Sequence, residues 1–307
     1  MTLQSVLLGA MIILGPILSM TSSNWIIIWI GLEISLLGFV SYYMLMKKIM
    51  SGEGIMMYFL IQSVSSTVML LNGLYIFVNH ASSYIYLFIF ITMLMLKIGM
   101  FPLHFWIIPV YSKLSYLNIG IVGLLLKIVP MWILMHMGCI TSEMLNLITM
   151  LSVTSMLFGA LIGMNLSKMR MVLGASTITH NGWLGMSCIS GSLFKYFITY
   201  GFSLVILLVF LYLGDKMSIS LSLLSLSGLP PFMLFIGKIN VLLMMMETNL
   251  WFIVLVFAIL SAVISLVYYL KFSVMFFMNM KNNYLKHYKM AMFLLVNVTF
   301  GMLLFLT

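Results

Sequence analysis

Apolar residues run along this chain in blocks of about twenty, separated by short polar stretches. A helix needs a block of that length to cross a hydrocarbon core ~30 Å thick. The pattern predicts about eleven membrane helices, near 3–20, 24–46, 54–78, 82–111, 116–137, 143–163, 168–190, 193–213, 217–246, 250–278 and 289–306. The fourth and ninth are too long for one upright crossing, and each carries proline near its centre: Pro102 in the fourth, Pro230 and Pro231 in the ninth. Proline removes a backbone donor and clashes with the preceding turn, so both helices are expected to be discontinuous. In lipid, such a break persists only where the freed backbone is buried in protein or faces a water-filled cavity.

The two breaks lie five helices apart. A five-helix unit repeated in tandem contains an odd number of spans, so the second copy must be inverted. The expected architecture is an all-α polytopic membrane protein. Residues 1–137 and 138–280 would form two five-helix inverted repeats, and 281–307 a C-terminal loop and last helix. Ion-coupled transporters build their sites from such paired discontinuous helices. Loop charge supports the count. Lys47, Lys48, Lys113, Lys168, Arg170, Lys216, Lys281, Lys286 and Lys289 all fall in loops on one side, whereas the opposite loops carry Lys195, Glu143 and Glu247. The positive-inside rule makes the basic side the cytoplasm or mitochondrial matrix, shared by the N-terminus, and an odd count sends the C-terminus to the other side. The N-terminus lacks a basic leader and runs directly into the first helix.

Composition excludes several classes. The chain is 64% hydrophobic and 6% charged, against about 25% charged for a soluble domain. Its net charge of +9 is scattered singly, without the basic, aromatic-interleaved helix of a nucleic-acid binder. Cys139 and Cys188 are too few for a metal cluster or disulfide framework and read as buried apolar thiols. There is no phosphate-binding lysine loop, no dinucleotide fingerprint and no Cys/His set for metal, iron–sulfur or haem. Any redox centre would sit on another chain.

The remaining ionisable residues concentrate at mid-span. Glu33 is central in the second helix, Lys97 in the fourth, Lys127 in the fifth and His180 in the seventh, while Lys238 follows the break in the ninth. Intramembrane charges are functional candidates by default. Burial favours the neutral amine and a nearby carboxylate the ammonium, so a buried lysine close to a glutamate can be switched by small changes around it. A water-linked row of such groups is a proton relay whose members titrate together. Other roles remain open: Glu33 as a structural salt-bridge partner, His180 as a polar contact to Ser176 or Thr177, and His104 beside Phe105 and Trp106 as a packing residue. Snorkelling suits Lys47, Lys48, Lys195 and Lys271, but not the central lysines. Gly159 and Gly163 form a close-packing pair.

Several stretches together resemble the NADH-ubiquinone oxidoreductase chain 2 family, the antiporter-like mitochondrial subunits of respiratory complex I. They are Trp29-Ile30-Gly31-Leu32-Glu33, Lys97-Ile98-Gly99-Met100-Phe101-Pro102-Leu103-His104-Phe105-Trp106, Ser176-Thr177-Ile178-Thr179-His180-Asn181-Gly182-Trp183 and Gly228-Leu229-Pro230-Pro231, with lysines at Lys127 and Lys238. The resemblance covers nearly the whole length, and the eleven helices agree with animal members. It implies Glu33 and Lys97 as an interacting pair, Lys127 as central proton carrier, Lys238 as terminal carrier, and His104 and His180 as auxiliary members of the polar axis. It also implies location in the mitochondrial inner membrane, with the N-terminus in the matrix and the C-terminus in the intermembrane space. The implied partners are other membrane-arm subunits, antiporter-like and small, together with phospholipids such as cardiolipin. NADH, FMN, iron–sulfur clusters and ubiquinone would be handled elsewhere in the complex. The alternatives are a subunit of a related sodium/proton antiporter, a non-pumping structural subunit and an independent permease. The chain departs from the family pattern at Ile108-Pro109, Leu234 and Gly237, so the broken-helix backbone is expected to differ locally.

Overall fold

The computed structural model describes residues 3–45, 52–77, 84–138, 142–247 and 252–278, with helical residues at 297, 299 and 301. The chain divides into two compact units, Met1–Leu147 and Ile148–Thr307. The first contains α1 (Leu3–Thr21), α2 (Trp25–Leu45), α3 (Gly52–Phe77), α4 (Tyr84–Ile98), α5 (Ile107–Lys113), α6 (Tyr116–Gly123), a 3-10 turn at Leu125–Lys127 and α7 (Ile128–Gly138). Helix α8 (Ser142–Asn165) begins there and runs into the second, which continues with α9 (Met169–Ile189), α10 (Leu193–Leu213), α11 (Lys216–Ser227), α12 (Met233–Glu247) and α13 (Phe252–Met278). These segments make ten of the eleven expected spans. The eleventh, near 289–306, lies outside the described residues, as do Lys47, Lys48, Lys281, Lys286 and Lys289.

Large apolar side chains such as Ile85, Leu71, Phe252 and Val263 face outward, while serines, threonines and glycines line many helix contacts. Lipid is as apolar as leucine, so close backbone packing and polar contacts hold the interior together. Helices α1 and α2 cross at Gly15 and Gly31, where a Cβ on either would come within 2.6 Å of the other's carbonyl oxygen. Gly159 packs on the α9 backbone at Thr179, and Gly163 on the Tyr268 ring of α13, so this pair serves packing as expected. Gly159→Leu is expected to wedge α8 from α9 and lower the amount of assembled protein on a native gel.

Both long spans break at the expected prolines. Helix α4 stops at Ile98 because Gly99 takes a left-handed conformation, φ 80°. The amides of Gly99 and Met100 fold back on the Met95 carbonyl at 2.8 and 3.0 Å, a Schellman-type ending. The Trp106 indole donates to the Leu96 carbonyl at 3.0 Å and the Gln62 amide to the Lys97 carbonyl at 3.2 Å. Three carbonyls released by the break are thereby satisfied in a region where water is scarce. The second break repeats the device. Gly228 has φ 78°, and in both breaks the third residue after the left-handed glycine, Pro102 or Pro231, follows a cis peptide bond. Pro109, where the family pattern differs, falls in the first turn of α5, which tolerates proline.

The units also share packing rules. The third helix of each packs on both halves of the broken one, α3 on α4 and α5, α10 on α11 and α12. The broken helix's first half meets the last span of its unit, α4 with α7 and α11 with α13. One break was not expected from the apolar pattern. The fifth span is interrupted by the 3-10 turn, with Leu124 at φ −121°, ψ −70°. Pro130, near the start of α7, has no amide hydrogen to give Leu126, so the helix loosens one turn before it.

Candidate functional site

In the first unit the site begins with two tryptophans of α2. Trp25 Nε1 donates to the Leu70 carbonyl at 3.3 Å, and Trp29 Nε1 to the Ser66 carbonyl at 3.0 Å. One helical turn further along this antiparallel ladder stand Glu33 on α2 and Gln62 on α3. Gln62 is buried and holds the Lys97 carbonyl. Glu33 lies within electrostatic reach of the Lys97 ammonium, and its Oε1 is buried without a protein hydrogen-bond partner. Glu33, Gln62 and Lys97 thus form one polar layer at the break.

Lys127 occupies the 3-10 turn, which packs against α1 and against α2, the helix that carries Glu33. His104 sits in the connection after the break, buried, its ring stacked against Phe101 at 5.7 Å and Phe105 at 4.6 Å. At one end of this unit Lys113 forms an ion pair with Glu53, and the Tyr43 hydroxyl donates to the Lys113 carbonyl at 3.5 Å. The ends of α2 and α5 and the start of α3 therefore share a face.

In the second unit α9 is buried throughout from Val172 to Cys188. His180, at its middle, hydrogen-bonds Tyr196 through Nδ1 at 2.8 Å and Tyr269 through Nε2 at 3.4 Å, and stacks on Tyr200 at 4.5 Å. The Ser176 and Thr177 hydroxyls donate instead to carbonyls of their own helix, Leu173 and Gly174. Lys238 turns back across the second break. Its ammonium donates to the Ser227 carbonyl at 2.9 Å, at the negative end of α11, and lies 5.6 Å from the Trp183 ring centroid. Gly237, another departure, lets α12 approach Thr199 of α10, whose Oγ1 would stand 2.4 Å from a Cβ there.

Lys97, Lys127 and Lys238 are 6%, 3% and 6% exposed, which rules out snorkelling. Lys271 is exposed and Lys195 partly so, as expected of boundary lysines. Sequence reading overlooked Gln62, Tyr196, Tyr269 and the ring of Trp183 as members of the site. An amide at the centre of an apolar span was the available signal for Gln62. The two tyrosines carried no such signal.

The family model for the NADH:quinone oxidoreductase/Mrp antiporter transmembrane region matches residues 22–218. The chain is 31% identical to NADH-ubiquinone oxidoreductase chain 2 of Anopheles gambiae, over 87% of this chain and 84% of that protein. It is 31% identical to the protein of that name from Mytilus edulis, over 88% and 85%. Among solved structures, a chain of respiratory complex I from Thermus thermophilus with bound aureothin superposes with a TM-score of 0.77 at 20% identity, covering 89% of this chain and 70% of that one. A chain of the Mrp complex from Dietzia gives 0.74 at 15% identity, over 86% and 59%.

Proposed function

The chain belongs to the NADH:quinone oxidoreductase/Mrp antiporter family, and we propose that it moves protons for respiratory complex I through Glu33, Lys97, Lys127 and Lys238, with His104 and His180 as auxiliary groups. It is a multi-pass membrane subunit, and other subunits of that complex are its partners. The observation that carries the proposal is burial: three lysines sit nine-tenths or more buried at or beside helix interruptions. An ammonium in that setting is costly unless its charge state is used. Each lysine lies at or beside an interrupted helix, and at Lys238 the break brings the Ser227 carbonyl to an amine that must lose and regain a proton. Quinone reduction elsewhere in the complex supplies the driving force, and NADH, FMN, iron–sulfur clusters and ubiquinone are bound by other chains. The setting is the mitochondrial inner membrane, with the N-terminus in the matrix, the C-terminus in the intermembrane space and cardiolipin-type lipids around the helices. Residues 1–137 and 138–280 act as inverted half-channels.

Lys127→Met in the assembled complex, reconstituted in vesicles, tests this directly. Methionine keeps the length and apolar stem and removes the proton site. The protons moved per NADH oxidised are expected to fall, with no dependence on sodium. An unchanged ratio at normal turnover would make the chain a structural subunit. A ratio that depends on sodium would favour the sodium/proton antiporter reading.

A further inference from the structure

We propose that Tyr196 and Tyr269 are proton-carrying partners of His180, so that the second unit conducts through a phenol–imidazole–phenol link; this rests on the pumping reading above. The three side chains come from three helices, α10, α9 and α13, and all are buried, with His180 2% exposed and Tyr196 and Tyr269 no more than 1%. Tyr196 stands 2.8 Å from Nδ1 and Tyr269 3.4 Å from Nε2. A neutral imidazole offers one donor and one acceptor nitrogen, and here each faces a phenol on a different helix, which makes the ring a bridge between them. Face-stacking by Tyr200 at 4.5 Å and 28° holds the ring plane so that both nitrogens stay aimed at their phenols.

The transfer balances without a net charge on the ring. In one tautomer Nε2 accepts the Tyr269 O–H and Nδ1–H donates to the Tyr196 oxygen. A proton arriving at the Tyr269 oxygen forms a new O–H as the old one breaks and its proton bonds to Nε2. In the same movement the Nδ1–H bond breaks, its proton joins the Tyr196 oxygen, and the original Tyr196 proton leaves on the far side. One proton enters and one leaves, and the ring is left as the other tautomer. Tyr196 also stacks on Trp183 at 6.1 Å, the ring over which Lys238 lies, so the Tyr196 end of the link opens toward the terminal lysine.

Tyr196→Phe and Tyr269→Phe remove one oxygen each and keep the packed rings. In the assembled, reconstituted complex each is expected to lower protons per NADH by as much as Lys127→Met does, whereas Tyr212→Phe, at a 71% exposed position, leaves the ratio unchanged. Using two single variants keeps the test open if one fails to assemble. A lowered ratio for Lys127→Met beside normal ratios for both tyrosine variants would overturn the link alone. A normal ratio for Lys127→Met would remove the pumping reading, and the link with it.

Discussion

Gly99→Ala is expected to reduce the assembled protein several-fold, and more than the same change at any other left-handed glycine of the chain. Two costs coincide at this position. The left-handed backbone penalises any residue with a Cβ by roughly 1–2 kcal/mol. A Cβ on Gly99 would also lie 2.2 Å from Ile107 Cδ1 and 3.1 Å from the Trp106 ring, and overpacking of that kind adds about 1–3 kcal/mol. Together these come to about 2–5 kcal/mol, a large fraction of the roughly 5–15 kcal/mol that holds an ordinary domain folded. The collision pushes on Trp106, whose indole holds the Leu96 carbonyl, so the end of α4 loosens next to Lys97. Gly191→Ala provides the matched comparison, since Gly191 has φ 77° but nothing within 4 Å of its Cβ position. Native-gel abundance and thermal melting of the complex measure both. Equal effects at the two glycines would mean that the break does not depend on the Ile107 and Trp106 contacts.

The spans, their two discontinuities and the central charges were legible because each has a local cause. An apolar run of fixed length requires a membrane, a proline in its middle requires a break, and a lysine at that depth requires a compensating environment. The 3-10 turn before Lys127 was harder to see. Pro130 announces it, but the surrounding residues remain apolar, and hydropathy does not distinguish a loosened turn from a regular one. The mid-span amide marks Gln62 as polar, but the partners of Gln62, Tyr196 and Tyr269 were out of reach for a different reason. Their importance lies in what they touch across helices: Gln62 reaches from α3 to the end of α4, and the tyrosines of α10 and α13 converge on α9. No spacing within one helix encodes such convergence. A tyrosine hydroxyl also does not stand out in a chain where 64% of residues are hydrophobic and tyrosine is common. The opposite holds for the departures at Pro109 and Gly237. Each looks disruptive in sequence, yet one falls in the first turn of a helix and the other opens a close contact with Thr199.

The second large effect is expected from separating Glu33 from Lys97. Lys97→Met removes the buried ammonium and leaves a carboxylate with one oxygen already buried and lacking a protein partner. Glu33 is half-buried, so losing the nearby cation costs less than the about 3–5 kcal/mol of a broken buried ion pair, whereas removing both charges together is often close to neutral. The single variant should therefore assemble poorly. The double variant Glu33→Gln, Lys97→Met should recover much of the assembly, because the glutamine stays uncharged and can hydrogen-bond beside Gln62. Its proton stoichiometry should stay low, since neither group can then carry a proton. This cycle separates two roles that the single change confounds. Recovery of assembly with low protons per NADH identifies the pair as a proton site whose charges also stabilise one another. Recovery of both would make the pair a packing device, leaving Lys127 and Lys238 to account for transport. If assembly fails to recover, Glu33 and Lys97 are not electrostatically coupled, and the cost of losing Lys97 arises instead from its place at the end of α4.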